Sequence, residues 1–323
     1  MKKETALKLS AILIILLGGC TTVTQTIYVQ NVKVDGPINQ PPIHVTDKNQ
    51  NESITISPKF YLNTTNTQTA GLNHTNVNRT GNFQVDTVFN SDGTWSYKVS
   101  NTNTYQFKGR NLSWNLPSLY AGLDVDLPMS RRVSISGSFN FSNQEDINLV
   151  GGSVGLGFNS QNKNSTMRID VGLTFQEYWY DAATVVVTET QPAFGDKTTV
   201  VSFFRDTNKN TSINPYISVT YNSDYEKSPV NFYLGLSYFG QTLFDYEPQK
   251  PDPIYYPFTT TTVTSDTYNK VSTAYVGINP GIYTKISDNS RIMFGVSILK
   301  NLEMENPSNS VFVIPMIKFD MSL

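Results

Sequence analysis

The feature that most constrains this chain is a period of two that runs to its last residue. From Val311 to Leu323 every second side chain is apolar: Val311, Val313, Pro315, Ile317, Phe319, Met321 and Leu323. The row between them ends in Met316, Lys318, Asp320 and Ser322. An amphipathic helix repeats its apolar positions every three to four residues, whereas strict alternation makes a strand with two unlike faces. Because the pattern continues to Leu323, this strand is expected to finish a sheet and not to lead into a tail.

The same alternation recurs between Glu52 and Leu323 in about ten segments, each near the ~9–11 residues that a tilted membrane strand needs. One row holds Ile54, Ile56, Pro58, Phe60 and Leu62; another Val133, Ile135, Phe139 and Phe141; another Met167, Ile169, Val171, Leu173 and Phe175; another Phe232, Leu234, Leu236 and Tyr238. None of these rows carries a charge, and Lys or Arg facing lipid at mid-bilayer costs ~2–4 kcal/mol. The opposite rows are small or polar, as in Ser134, Ser136, Ser138, Gly155 and Gly157. A soluble sandwich also alternates but displays many Lys and Glu to water, whereas this chain is only 15% charged. Beyond the N-terminus no stretch approaches the ~20 apolar residues of a spanning helix. A net charge of -2 lacks the basic footprint that nucleic-acid binding requires. The reading is all-β: an antiparallel up-and-down transmembrane β-barrel of about ten strands.

The connections give a second line of argument. Long stretches at about Thr64 to Asn115, Asp181 to Asn210 and Leu243 to Val271 alternate with short turns near Pro128-Met129-Ser130, Asn222 to Ser228 and Ser287-Asp288-Asn289. Membrane barrels place short turns in the periplasm and longer loops outside. An N-terminus in the periplasm makes every short turn periplasmic and every long loop extracellular. Asn90-Ser91-Asp92-Gly93 between alternating runs predicts a hairpin inside the first long loop.

Lys2, Lys3 and Lys8 precede the apolar run Leu9 to Leu17, which is too short to span a bilayer and has the layout of a secretory signal. It ends in Leu17-Gly18-Gly19-Cys20, which resembles the lipobox of bacterial lipoproteins. That resemblance implies cleavage before Cys20 and a diacylglycerol on its sulfur. Cys20 is the single cysteine, so no intrachain disulfide is possible. The expected organisation is a signal peptide over 1–19, a lipidated tether over 20–51 and a barrel over 52–323. Pro37, Pro41 and Pro42 make the tether a semi-extended spacer. The implied partners are outer-membrane lipid and the barrel-assembly and lipoprotein-sorting machinery.

Candidate functional residues fall on the inward rows. Asp124, Asp126, Arg132, Arg168, Asp170, Lys285, Arg291, Lys318 and Asp320 are expected near the periplasmic end. They form either a selectivity ring or a salt-bridged plug, and the plug is favoured because barrels near eight strands are filled by side chains. Pro117, Pro215, Pro280 and Pro315 recur at a similar depth, pointing outward, where bulges are expected. Trp114, Tyr178, Trp179, Tyr180, Tyr238 and Phe239 are assigned to the lipid–water boundary. Tyr255, Tyr256 and Phe258 are candidate ligand contacts in a loop. His44 in the tether and His74 in a loop offer no convincing catalytic couple, and there is no Cys/His metal spacing or phosphate-cradling loop. No cofactor, no metal and no enzymatic activity are expected.

From Glu52 to Leu323 the architecture resembles the small outer-membrane barrels of Gram-negative bacteria, the OmpA/OmpX-like class. The chain departs from that class in its lipobox and in ending on Leu323, where many such barrels end on an aromatic residue. The resemblance implies a surface or envelope protein that binds partners through long loops. A narrow porin or small-solute transporter is the alternative, and a hydrolase at the outer rim a third.

Overall fold

The computed structural model describes residues 21–46, 53–63, 67–71, 84–89, 95–100, 107–108, 111–144, 147–192, 195–225, 228–245, 259–265, 270–302 and 310–323. The expectations for the signal peptide, Cys20, His74, Asp92 and the aromatic loop at Tyr255, Tyr256 and Phe258 lie outside these residues. In chain order the strands are β1 (Thr21–Asp35), β2 (Thr55–Leu62), β3 (Thr67–Gly71), β4 (Gln84–Phe89), β5 (Trp95–Ser100) and β6 (Phe107–Lys108). There follow β7 (Asn111–Asn115), β8 (Leu119–Ser130), β9 (Val133–Gln144), β10 (Ile147–Asn162), β11 (Ser165–Gln191) and β12 (Thr198–Ser223). The last are β13 (Asn231–Asp245), β14 (Thr259–Ser265), β15 (Lys270–Ser287), β16 (Ser290–Asn301) and β17 (Val311–Ser322).

Ten of these strands close on themselves, in the order β2, β8, β9, β10, β11, β12, β13, β15, β16, β17 and back to β2, every pair antiparallel. Closure removes the unpaired edges that a bilayer would not tolerate. The outward rows are those the alternation specifies. Leu234 is 42% exposed, Val171 37% and Ile317 37%, whereas Ser136 on an inward row is fully buried. On β11 the outward row runs from Met167 to Phe175 and meets its first charge at Glu177, whose carboxylate lies 3.6 Å from Lys209 on β12. That pair marks where the apolar band ends.

Above the band, β11 and β12 leave the wall as a ribbon. Their ladder runs unbroken from Ser165↔Ser223 to Thr190↔Thr198, although β10 accompanies β11 only to Gln176. The stretch read as a long loop from Asp181 to Asn210 is therefore mostly paired strand. Arg205 clamps the ribbon's root through two bonds to Asp181, of 2.9 and 2.6 Å. The hairpin expected in the first long loop is present: β4 pairs with β5 from Gln84↔Ser100 to Phe89↔Trp95.

The tether is where the structure departs most from expectation. β1 is a strand laid antiparallel on the ribbon, from Thr22↔Gln191 at the tip to Asp35↔Trp179 at the barrel mouth. Its other edge is taken by β14, in parallel over Thr21 to Ile27, and by β7, in parallel over Val32 to Asp35. Residues 36–46 then run down the barrel interior and are buried throughout. A proline-rich stretch suits this path. Pro37, Pro41 and Pro42 have no N–H, so fewer backbone donors need partners away from water.

Pro215, Pro280 and Pro315 are absorbed without bulges. Pro215 stays opposite Leu173 and Pro315 opposite Val296, and the β15–β16 register is the same on both sides of Pro280. Outward-facing prolines forfeit a ladder bond yet leave the spacing intact. Pro117 does not point outward; it is buried beside Leu116, just before β8.

Candidate functional site: a self-filled lumen

The interior has two storeys. The lower one, toward the short turns, is ionic. Asp124 on β8 receives Lys59 of β2 at 2.6 Å and Lys318 of β17 at 2.9 Å. Lys318 also lies 3.8 Å from Asp320, whose other oxygen takes Arg291 of β16 at 2.6 Å. Arg168 of β11 forks to Asp126 at 2.7 and 2.8 Å and to Asp170 at 2.7 and 2.9 Å. Four cations face four carboxylates, and all but Asp126 are at most 3% exposed. Inside a low-dielectric wall such a set persists only because every charge has an opposite partner.

The wall also grips the threaded segment by its carbonyls. Lys318 Nζ donates to the Ile43 carbonyl at 2.6 Å, and Arg291 Nη2 donates to that of Val45. Thr166 Oγ1 and Asn222 Nδ2 donate to the Thr46 carbonyl at 2.9 and 3.1 Å, and the Thr46 amide returns a bond to Asn222 Oδ1. Charged donors make the stronger bonds to such acceptors. The cavity left at this mouth, between His44, Ser57, Asp126, Ser134 and Asp320, measures about 20 Å³, room for about one water.

The upper storey is aromatic. Trp114, Phe239, Tyr275 and Phe312 pack around residues 36–40, with Phe239 and Tyr275 stacked at 5.2 Å and Trp114 6.2 Å from Phe312. Trp114 Nε1 donates to the Gly36 carbonyl at 2.9 Å, and Gln40 donates to Tyr120 Oη at 3.0 Å. Gly36 lies flat on the Tyr178 ring, so close that a Cβ there would overlap it.

This placement corrects several expectations. Arg132 is exposed in the β8–β9 turn and takes no part in the ionic cluster. Lys285 pairs instead with Asp224, at 3.1 Å near the short turns. Trp114, Tyr178, Tyr180 and Phe239 fill the interior; of the proposed boundary aromatics, Tyr238 faces lipid and Trp179 lies within reach of Lys33. The lumen row of β17 is polar only below Met316, since Phe312 and Ile314 above it join the aromatic storey. The sequence reading passed over Lys59, whose signal was its place between Ser57 and Tyr61 on the inward row of β2. It also passed over the carbonyl acceptors of residues 43–46, which carry no sequence signal. Among the described residues no group of three or more His, Cys, Asp or Glu is arranged to hold a metal.

At the long-loop rim, a groove of about 710 Å³ opens outward, with Leu119, Ala121 and Phe141 on its apolar side and Asn143 and Gln144 on its polar side. It has room for a small ligand.

A closed ten-stranded sheet with an apolar outside and a filled inside defines a transmembrane β-barrel of the outer-membrane type. Solved structures with a similar fold include the outer membrane protease OmpT from Escherichia coli, 8% identical, covering 83% of this chain and 97% of that one, with a TM-score of 0.36. They also include LpxR from Salmonella typhimurium, at 7% identity, 62% and 88% coverage and a TM-score of 0.26. The Pseudomonas putida toluene transporter TodX shows 7% identity, 84% and 90% coverage and a TM-score of 0.26. At these values the likeness concerns the barrel fold alone. No protein-family model matches the chain, and no curated protein matches it. One expectation is corrected here: barrels similar in fold include a protease, so the fold gives no ground for excluding an enzyme, and that exclusion is withdrawn.

Proposed function

We propose that this protein is a sealed surface barrel: an outer-membrane scaffold, lipid-anchored through Cys20, that holds its long-loop side toward the exterior for partner or ligand binding. The observation that carries this reading is the occupied lumen. Among the described residues, 36–46 run through the barrel and are bonded to its wall at both ends, through Tyr120 above and Lys318 and Thr166 below. A surface role is supported by the ribbon of β11 and β12, which rises clear of the band with Val200 and Phe204 more than half exposed. The rim groove beside Phe141 supplies a place for an apolar ligand bearing hydrogen-bonding groups. Lipidation is supported by Leu17-Gly18-Gly19-Cys20, and the orientation by the long connections gathering at one end.

Planar-bilayer recording tests the sealed state. The full chain is expected to give no steady unit current, and a variant lacking residues 21–46 is expected to give one. Steady current through the full chain would replace this reading with that of a narrow porin.

A further inference from the structure

We infer that the chain is threaded through its own barrel, so that its N-terminal strand and its C-terminus lie on opposite sides of the membrane. The inference rests on three sets of contacts. At the long-loop end β1 is fixed on both edges, by β11 on one and by β14 and β7 on the other. In the middle, Gly36 to Gln40 are held by Trp114 and Tyr120. At the short-turn end, Thr46 is bonded to Thr166 and Asn222 and, through its hydroxyl, to Asn159 at 3.3 Å. Thr166 and Asn222 are paired near the start of β11 and the end of β12, beside the turns; Trp179 and Gln191 are farther along the same β11. Residues 21–46 therefore traverse the full height of the wall.

The chain then starts its first wall strand from the short-turn side. Thr55 pairs with Ser322, and the Leu323 amide donates to the Ile54 carbonyl at 2.9 Å. This arrangement puts the start of the tether at the long-loop end of the barrel and not at the short-turn end where it was expected. If the long loops face outward, as proposed above, the start of β1 is at the cell surface. Cys20 is covalently next to Thr21, so an acyl group on its sulfur would be carried on the long-loop side of the membrane and not on the periplasmic side.

Which side is outside depends on the proposed orientation; the opposition of the two ends does not. The test uses full-length Thr22→Cys, Asp196→Cys and Asp288→Cys variants and a membrane-impermeant maleimide, with the parent's signal subtracted. Thr22 is exposed in β1, Asp196 at the ribbon tip and Asp288 in the β15–β16 turn. Threading requires Thr22→Cys to label under the same conditions as Asp196→Cys, in intact cells, with Asp288→Cys labelled only after permeabilisation. Labelling of Thr22→Cys together with Asp288→Cys overturns it. If Thr22 and Asp196 both label only after permeabilisation while Asp288 labels in intact cells, threading stands and the proposed orientation falls. Heat-modifiable migration reports whether each variant is folded. An epitope inserted between Thr21 and Thr22, probed on intact cells, gives a second reading.

Discussion

Lys59 and Lys318 stand directly opposite each other across the seam where β2 meets β17, and both side chains are buried. Like charges in facing positions of a sheet repel. Here Asp124 of β8 forms an ion pair with each ammonium group, one on each oxygen, while Lys318 also donates to the Ile43 carbonyl. The seam that closes the barrel is thus held at the same place as the segment inside it.

Asp124→Asn is therefore expected to be costly. It leaves two buried cations with a neutral amide, and removing one partner of a buried pair costs about 3–5 kcal/mol. The check is the temperature at which the folded band disappears on heat-modifiability gels. Adding Lys59→Met to Asp124→Asn should recover much of the loss, because one stranded charge is then gone.

Tyr233 lies across two glycines on neighbouring strands, Gly281 of β15 and Gly295 of β16, and a Cβ at either would meet its ring. Gly281→Val is expected to destabilise by about 1–3 kcal/mol, the usual cost of overfilling a close-packed interior. Combined with Tyr233→Leu, its additional cost should shrink, since contacting sites are not additive. Urea titration of folding into lipid vesicles measures both.

The height of the apolar band is open to a paired test. Leu236 faces outward within it and is 50% exposed, and Val200 on the ribbon is 59% exposed. Leu236→Arg should cost about 2–4 kcal/mol, whereas Val200→Arg, beyond the band, should fall within about 0.5 kcal/mol of the parent. Equal costs in vesicle-folding titrations would mean that the band has been placed wrongly.

Asn222 binds Thr46 through both its oxygen and its nitrogen, and the Thr46 carbonyl also accepts from Thr166 at 2.9 Å. Asn222→Leu leaves the buried Thr46 amide without its partner, at about 1–3 kcal/mol. The lower end of the threaded segment should loosen, seen as brief openings in planar bilayers and as faster amide exchange at residues 43–46. The parent should show neither.

Much of the wall was legible because a barrel strand is a local pattern. Each lipid-facing residue is two positions from the next, and Val311 to Leu323 declare their faces without reference to any other strand. The ionic residues Asp124, Arg168, Asp170, Arg291, Lys318 and Asp320 were legible for the same reason, as charges on inward rows. Arg132 was misplaced because a residue in a turn has no fixed face. Trp114, Tyr178 and Phe239 were misplaced because an aromatic near a rim fits the boundary and the interior equally well until it is known what occupies the interior.

The sequence by itself determined the closed sheet, its number of strands and the side of each that meets lipid, since all three follow from alternation and spacing along the chain. Only the tertiary structure decided what fills the barrel. Residues 36–46 have no period, and their backbone carbonyls are met by side chains far away in sequence: Lys318 reaches Ile43 across 275 positions and Asn222 reaches Thr46 across 176. Such contacts exist only once the wall has curled round and brought those donors to one axis.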